Sequence, residues 1–212
     1  MKITLDNLDQ LAWEKQDGLI PAIIQDVRSG VLLMQAYMNP ESIKRTLETG
    51  LVTFYSRRRQ TLWQKGETSG NTLTCVEIVS DCDGDSLKVL ASPAGPVCHE
   101  GTTTCWDDGA QPDLTFIAEL EAVIESRKGA SPDTSYTALL LQRGKKYIAQ
   151  KVGEEAVETA LAAVTGDKKE FLDESADLLF HLLVLLNTDD LRLSDVAAVL
   201  KTRHANAKEF TE

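Results

Sequence analysis

Apolar residues along this chain follow two different rhythms, and the change comes near Asp113. Before it, short apolar runs are broken by turn residues. LIPAIIQDV (19–27) and VLLMQAYM (31–38), separated by RSG, predict a hairpin. LVTFYS (51–56), TLTCVEIVSDC (72–82) and LKVLAS (87–92) predict further strands, with DGDS as the turn between the last two. Asn39-Pro40-Glu41 reads as a helix start, because Asn caps, Pro fits the first position and Glu suits the first turn. That helix should run through ESIKRTLET and stop at Gly50. A short helix is expected within 3–17, and RRRQTLWQKGETSGN (57–71) is expected to be a basic loop.

After Asp113 the period becomes helical. Helices are expected over 112–128, from 135 to 142, and over 145–167, 168–190 and 192–210, with Gly144 dividing the second from the third. Composition changes with the rhythm. All four Cys, all three Trp, nine of thirteen Gly and five of six Pro lie in residues 1–113, and the rest is rich in Leu, Ala, Glu and Lys. The sequence therefore predicts two domains: 1–113, a β-rich α+β unit, and 114–212, all helical. The GAQP tetrapeptide at 109–112 is the expected join.

Charge narrows the function. With 33 acidic residues against 22 basic, the net charge of −11 argues against general affinity for nucleic acid. No apolar run approaches the roughly 20 residues that span a bilayer, and the N-terminus carries no secretory pattern. A cytoplasmic protein is expected, in which clustered cysteines suggest metal or catalysis more than disulfides.

Those cysteines lie in DCDGDSLKVLASPAGPVCHEGTTTC (81–105). On an extended backbone Asp81, Asp83 and Asp85 would face one way and Cys82 the other. Carboxylates suit Mg²⁺ and thiolates suit Zn²⁺. Cys82, Cys98 and Cys105 lack the paired spacing of a zinc finger, and two readings stand. One is a catalytic zinc with an open position for water and His99 as proton carrier. The other is a structural zinc with His99 as fourth ligand. Cys75 reads as a buried small hydrophobe. The arginine run with Lys65 is read either as a phosphate grip or as a solvated loop.

In the helical half, Glu154/Glu158, Glu155/Glu158 and Glu174/Asp177 share helix faces at spacings of three and four. Like charges so placed repel, and apolar neighbours such as Val152, Ala156 and Leu178 draw them toward a packing surface. TGDKK between the two helices predicts an antiparallel pair that brings both sets together, where Mg²⁺ would relieve the repulsion. The bland alternative is an acidic stripe balanced by Lys168 and Lys169. His181 reads as a core histidine or one supporting the site from behind.

At this point the residues resemble known families. WQKGETSGN (63–71), DCDGD (81–85) and GPVCHEGTTTC (95–105) resemble the signature of phosphoribosyl-AMP cyclohydrolase. GEEAVETA (153–160) with ESAD (174–177) resembles phosphoribosyl-ATP pyrophosphohydrolase, a relative of the all-α MazG-like pyrophosphatases. Their order matches the bifunctional histidine-biosynthesis enzymes. The resemblance implies Mg²⁺ at Asp81, Asp83 and Asp85, and Zn²⁺ at Cys82, Cys98 and Cys105, with Cys82 contributed by the partner chain of a homodimer. It implies Mg²⁺ at Glu154, Glu155, Glu158, Glu174 and Asp177. Substrate contacts are expected from Arg57, Arg58, Lys65, Glu67, Thr68, Ser69 and Lys151, with Arg143, Lys145 and Lys146 as further phosphate candidates. Glu100 and Trp106 stand where that family often has other residues, which bears on local packing or substrate contact.

The implied chemistry is sequential. The helical half would release pyrophosphate from phosphoribosyl-ATP, and the first half would open the adenine ring of phosphoribosyl-AMP at N1–C6 with a zinc-bound water. Two rivals make different predictions. A house-cleaning nucleotide pyrophosphatase would open no ring, and a zinc-stapled adaptor would be indifferent to Glu154→Gln and Glu155→Gln.

Overall fold

The structure, a computed structural model, describes residues 1–107 and 109–208. By its internal contacts the chain divides between Phe116 and Ile117. The first unit carries strands and one helix, and the second carries helices, so the two-domain class expected from the pattern is what the fold shows.

In the first unit β1 (Ile20–Asp26) and β2 (Leu32–Met38) form the expected antiparallel hairpin. β5 (Leu73–Ser80) and β6 (Leu87–Pro93) form a second one. The hairpins join through β1 and β6, which run parallel, giving a four-stranded sheet in the order β2-β1-β6-β5. Ile20, Ala22 and Ile24 on β1 and Leu87, Val89 and Ala91 on β6 alternate into a core with Leu33, Met38, Ile43 and Phe54.

α1 (Pro40–Thr49) starts where Asn39 predicted. The Asn39 side chain accepts from the Ser42 amide at 2.8 Å, and Ser42 Oγ accepts from the Asn39 amide at 2.9 Å. The helix ends at Gly50, whose φ of +73° suits glycine.

Two local expectations are corrected. The segment 3–17 forms two short 3-10 turns, Leu8–Gln10 and Trp13–Gln16, rather than a helix. The Ala12 amide is diverted to the carbonyl of Gly84 at 2.9 Å, which interrupts any helical ladder there. The basic segment 57–71 is not wholly loop. Thr61–Gln64 forms β4 and pairs antiparallel with β3 (Thr53–Ser56). Trp63 packs on Phe54 with ring centroids 5.0 Å apart, and this burial outweighs the polar character of the flanking residues.

The second unit contains α2 (Thr115–Ser126), α3 (Tyr136–Arg143), α4 (Lys145–Thr165), α5 (Lys168–Asn187) and α6 (Leu193–Lys208). Ser135 caps α3, and Gly144 (φ +85°) separates α3 from α4. α4 stops at Gly166, and Asp167 caps α5 by accepting from Lys169 and Glu170. The short connection turns α4 and α5 into a closely packed helical hairpin. Ile124, Leu140, Ile148, Leu183 and Val184 form its small core. Glu209 and Phe210, expected to end the last helix, lie outside the described residues. Among the described residues no helix is long and apolar enough to cross a membrane.

Asn39→Ala removes one half of a reciprocal cap and should cost about 1 kcal/mol. Calorimetric unfolding should show the loss in the β-rich unit.

Candidate active sites

The connection between β5 and β6 gathers the first carboxylate set. Ligand oxygens of Asp81, Asp83 and Asp85 lie within 4.8 Å of one another. They meet through a turn and not through strand alternation, since β5 ends at Ser80. Asp81 Oδ1 accepts from the amides of Asp85 (3.1 Å) and Ser86 (3.2 Å), and Gly84 closes the turn at φ +77°. A cation already sits here: Lys15 Nζ is 2.6 Å from Asp83 and 3.2 Å from Asp85. The ammonium holds the Asp83 carboxyl below its ordinary value, and the carboxylates hold Lys15 above its own. A hard-oxygen set with a positive charge drawn into it fits Mg²⁺.

A cleft of about 490 Å³ opens beside β4 and the loop after β6. It brings together Lys65, Glu67, Thr68, Ser69, Cys98, His99 and Cys105 from the sequence expectation. Arg59 lines it, whereas Arg57 and Arg58 do not. The Arg57 guanidinium lies 3.8 Å over the Tyr37 ring. Trp63, Gln64 and Asn71 are further lining residues that sequence reasoning passed over. Asn71 is the strut of the cleft wall. A Cβ on Gly66 would fall 2.4 Å from the Asn71 carbonyl carbon, and one on Gly95 would fall 2.5 Å from Asn71 Oδ1.

Cys98 and Cys105 converge from opposite ends of one loop. The Cys105 amide donates to Leu33 O at 2.9 Å, tying it to β2, while Cys98 is held by its amide's bond to Thr102 O at 3.0 Å. Both line the cleft. Hydrogen bonds from the Glu100 backbone and the Thr102 side chain lower the Cys98 pKa, whereas desolvation and the Cys98 charge raise that of Cys105. His99 Nδ1 is 3.8 Å from Cys98 Sγ, and its imidazole is exposed. Cys82 is exposed and does not join the other two: among the described residues no three cysteine sulfurs meet. Cys75 is half-buried against the core, and burial pushes its thiol up to about 11. Glu100 points into solvent, and Trp106 is partly exposed after the Cys105 turn.

On the helical hairpin, oxygens of Glu155, Glu158 and Glu174 come within 4.8 Å of one another. Glu155 is buried, and Lys151 Nζ is 2.8 Å from its Oε1. Desolvation, followed by Glu158, Glu155 and Asp177, raises the Glu174 carboxyl. Asp177 is thus close enough to be felt without belonging to the tight trio. Glu154 stands aside, held by Lys151 at 2.9 Å and Gln150 at 2.8 Å, and Lys151 lowers its pKa. Lys151, contacting both, is raised by them. Lys145 is engaged by Asp189, and the Arg143 guanidinium lies 4.6 Å over Tyr147. A half-buried oxygen trio that repels itself fits a divalent cation.

A unit with two thiols on a cleft wall and a carboxylate set on its β5–β6 turn, and another unit with an acidic helical hairpin, supply the parts of a two-part hydrolase. Comparisons with known proteins agree. Residues 34–107 match the family model for phosphoribosyl-AMP cyclohydrolase, and residues 117–204 match that for phosphoribosyl-ATP pyrophosphohydrolase. The histidine biosynthesis bifunctional protein HisIE of Shewanella oneidensis is 56% identical over 206 residues, covering 97% of this chain and 96% of that one. Proteins of the same description from Vibrio parahaemolyticus and Escherichia coli are 54% and 55% identical, each over 92% of this chain and over 94% and 96% of their own. The chain belongs to the bifunctional HisIE family of histidine biosynthesis, uniting a cyclohydrolase and a pyrophosphohydrolase.

The thiol environments make a direct prediction. In metal-free protein near pH 8, iodoacetamide should modify Cys98 roughly tenfold or more faster than Cys75. Peptide mass spectrometry would resolve the two.

Proposed function

We propose that the pyrophosphohydrolase half works at the Glu155–Glu158–Glu174 trio and the cyclohydrolase half at the Cys98–Cys105–His99 corner of the cleft. The observation that carries this reading is that Cys98, His99 and Cys105 line one cleft wall while Cys82 does not. A zinc ion held by Cys98, Cys105 and the Cys82 of a second copy would complete the set and make the working protein a homodimer. The alternation argument for Cys82 failed locally, but its consequence, that Cys82 serves a site other than its own aspartates', agrees with this separation.

In the first step phosphoribosyl-ATP binds at the helical hairpin. Magnesium, when bound, neutralises charge on the triphosphate and the leaving pyrophosphate. Glu155, Glu158, Glu174 and Asp177 hold the cation, and a carboxylate of this group orients the attacking water. Water adds to the α-phosphorus, the bond to the bridging oxygen breaks, and pyrophosphate leaves with phosphoribosyl-AMP as the other product. Lys151 already lies among these carboxylates and would move to a phosphate oxygen when a divalent cation replaces it.

In the second step phosphoribosyl-AMP occupies the cleft. Zinc, when bound, brings the pKa of a coordinated water toward neutrality. Lys65, Arg59 and the Glu67–Ser69 loop hold the phosphates and ribose, with magnesium at Asp81, Asp83 and Asp85. Water adds to C6 of the adenine, the N1–C6 bond breaks, and His99 delivers the proton to N1. The His99 side chain is fully open to the cleft, which lets it reach substrate without rearranging the fold. A cytoplasmic site of action is consistent with reduced cysteines.

His99→Ala should lower kcat for ring opening by roughly 10²- to 10⁴-fold and leave pyrophosphate release intact. The shared zinc site has a sharper test. Cys82→Ala and Cys98→Ala homodimers should each lack ring opening, and subunit exchange between them should restore it, since one chain keeps Cys98 and Cys105 and the other keeps Cys82. Failure of the mixed protein to regain activity, with exchange verified by mass, would overturn the sharing.

A further inference from the structure

His181 is buried in the helical unit, and no step above uses it. Its two ring nitrogens have different and specific partners. Nδ1 is 2.9 Å from the carbonyl oxygen of Asp177, one turn earlier on α5. A carbonyl can only accept, so Nδ1 carries the proton. Nε2 is 3.1 Å from the Tyr136 hydroxyl at the start of α3. In the neutral ring Nε2 can only accept, so Tyr136 donates to it. The imidazole is thereby fixed in both orientation and tautomer.

The protonated Nδ1 also lies 3.6 Å from Glu155 Oε1, the same oxygen that Lys151 reaches at 2.8 Å. Both contacts fall on one oxygen of a buried carboxylate. The ring stands edge-on to Phe180 and Tyr136, with centroids 5.3 and 6.1 Å away, so it has little freedom to turn. The Tyr136 hydroxyl and the Asp177 carbonyl satisfy both ring nitrogens, as burial requires, and what a merely core histidine would not need is the carboxylate of Glu155 at 3.6 Å beside them.

We propose that Tyr136 and His181 are positioning residues for the pyrophosphohydrolase site. Tyr136 and the Asp177 carbonyl lock the imidazole. Its positive Nδ1 edge faces Glu155 Oε1 at 3.6 Å, which favours that rotamer of the carboxylate and leaves its other oxygen to the cation shared with Glu158 and Glu174. Neither residue touches substrate. The proposal rests on the metal reading of that trio and extends it to the groups behind it. Loss of such supporting hydrogen bonds typically weakens metal affinity by roughly 10- to 100-fold.

The test compares two amides that each replace one end of the imidazole. The amide nitrogen of His181→Asn falls where Nδ1 was, and that of His181→Gln falls near Nε2. Mn²⁺ binding is followed by electron paramagnetic resonance in the full-length, zinc-loaded chain carrying Asp83→Asn and Asp85→Asn, which removes the other carboxylate set. Expected are a loss of about tenfold in Mn²⁺ affinity for His181→Gln, and for His181→Asn, which keeps a donor at the Nδ1 position but loses the Tyr136 bond, only the smaller loss shown by Tyr136→Phe. Tyr136→Phe, at a half-exposed ring that tolerates change, should show a smaller loss in the same direction. In pyrophosphate release, kcat should fall for His181→Gln and Tyr136→Phe at little-changed KM. Equal parental Mn²⁺ affinity in His181→Gln and Tyr136→Phe, with Glu155→Gln weakened, would overturn the positioning role alone. Parental affinity in Glu155→Gln itself would overturn the metal reading and the proposal together.

Discussion

Carboxylates gathered within a few ångströms of one another raise one another's energy unless positive charge lies among them. Both halves of this protein are built on that condition. In the β-rich half a five-residue turn gathers Asp81, Asp83 and Asp85, and the Lys15 ammonium reaches in from the N-terminal segment. In the helical half the α4–α5 hairpin gathers Glu155, Glu158 and Glu174, and Lys151 lies against Glu155 from one turn earlier. A lysine supplies one charge and three directional donors. A divalent cation supplies two charges and takes oxygens on all sides, which is the charge that the proposed metal sites would add to each set.

The scaffolds around these sets differ because the two reactions ask for different things. Ring opening must enclose a purine, and the first unit provides a walled cleft. β4 brings Trp63 to one side, and at Gly66 the Asn71 backbone lies so close that no side chain fits, while any side chain at Gly95 would have to displace that of Asn71. Phosphoanhydride cleavage asks chiefly for charge placed along a flexible triphosphate. Two antiparallel helices can present carboxylates at regular intervals along a line, and His181, bonded to Tyr136 and the Asp177 carbonyl, lies 3.6 Å from the most buried of them.

The helical half was legible almost entirely from local spacing. The start at Ser135 and the break at Gly144 followed from the pattern. The helices expected over 145–167 and 168–190 instead stop at Thr165 and Asn187, the first because Gly166 turns left-handed and Asp167 caps the next helix. The acidic faces followed from spacings of three and four. The first half was less legible at short range. β4 was hidden inside a basic run, since Thr61–Gln64 becomes a strand only by burying Trp63 on Phe54. The aspartates did come together, but through a turn that alternation did not describe. Arg59 rather than Arg57 or Arg58 reached the cleft, because the turn at Gln60 sets which arginine faces inward and Tyr37 engages Arg57.

By itself the sequence determined the division into two units, the family, the residue types of each carboxylate set and the helical hairpin that aligns one of them. These depend on chain-local periodicity, or on motifs whose members lie close together. Only the tertiary structure decided that Lys15 meets aspartates some 70 residues away, that Cys98 and Cys105 line one cleft while Cys82 does not, and that Tyr136 reaches His181 across 45 residues. Such contacts arise when packing brings distant segments together. No local spacing encodes them, because the free energy that selects them belongs to the assembled core.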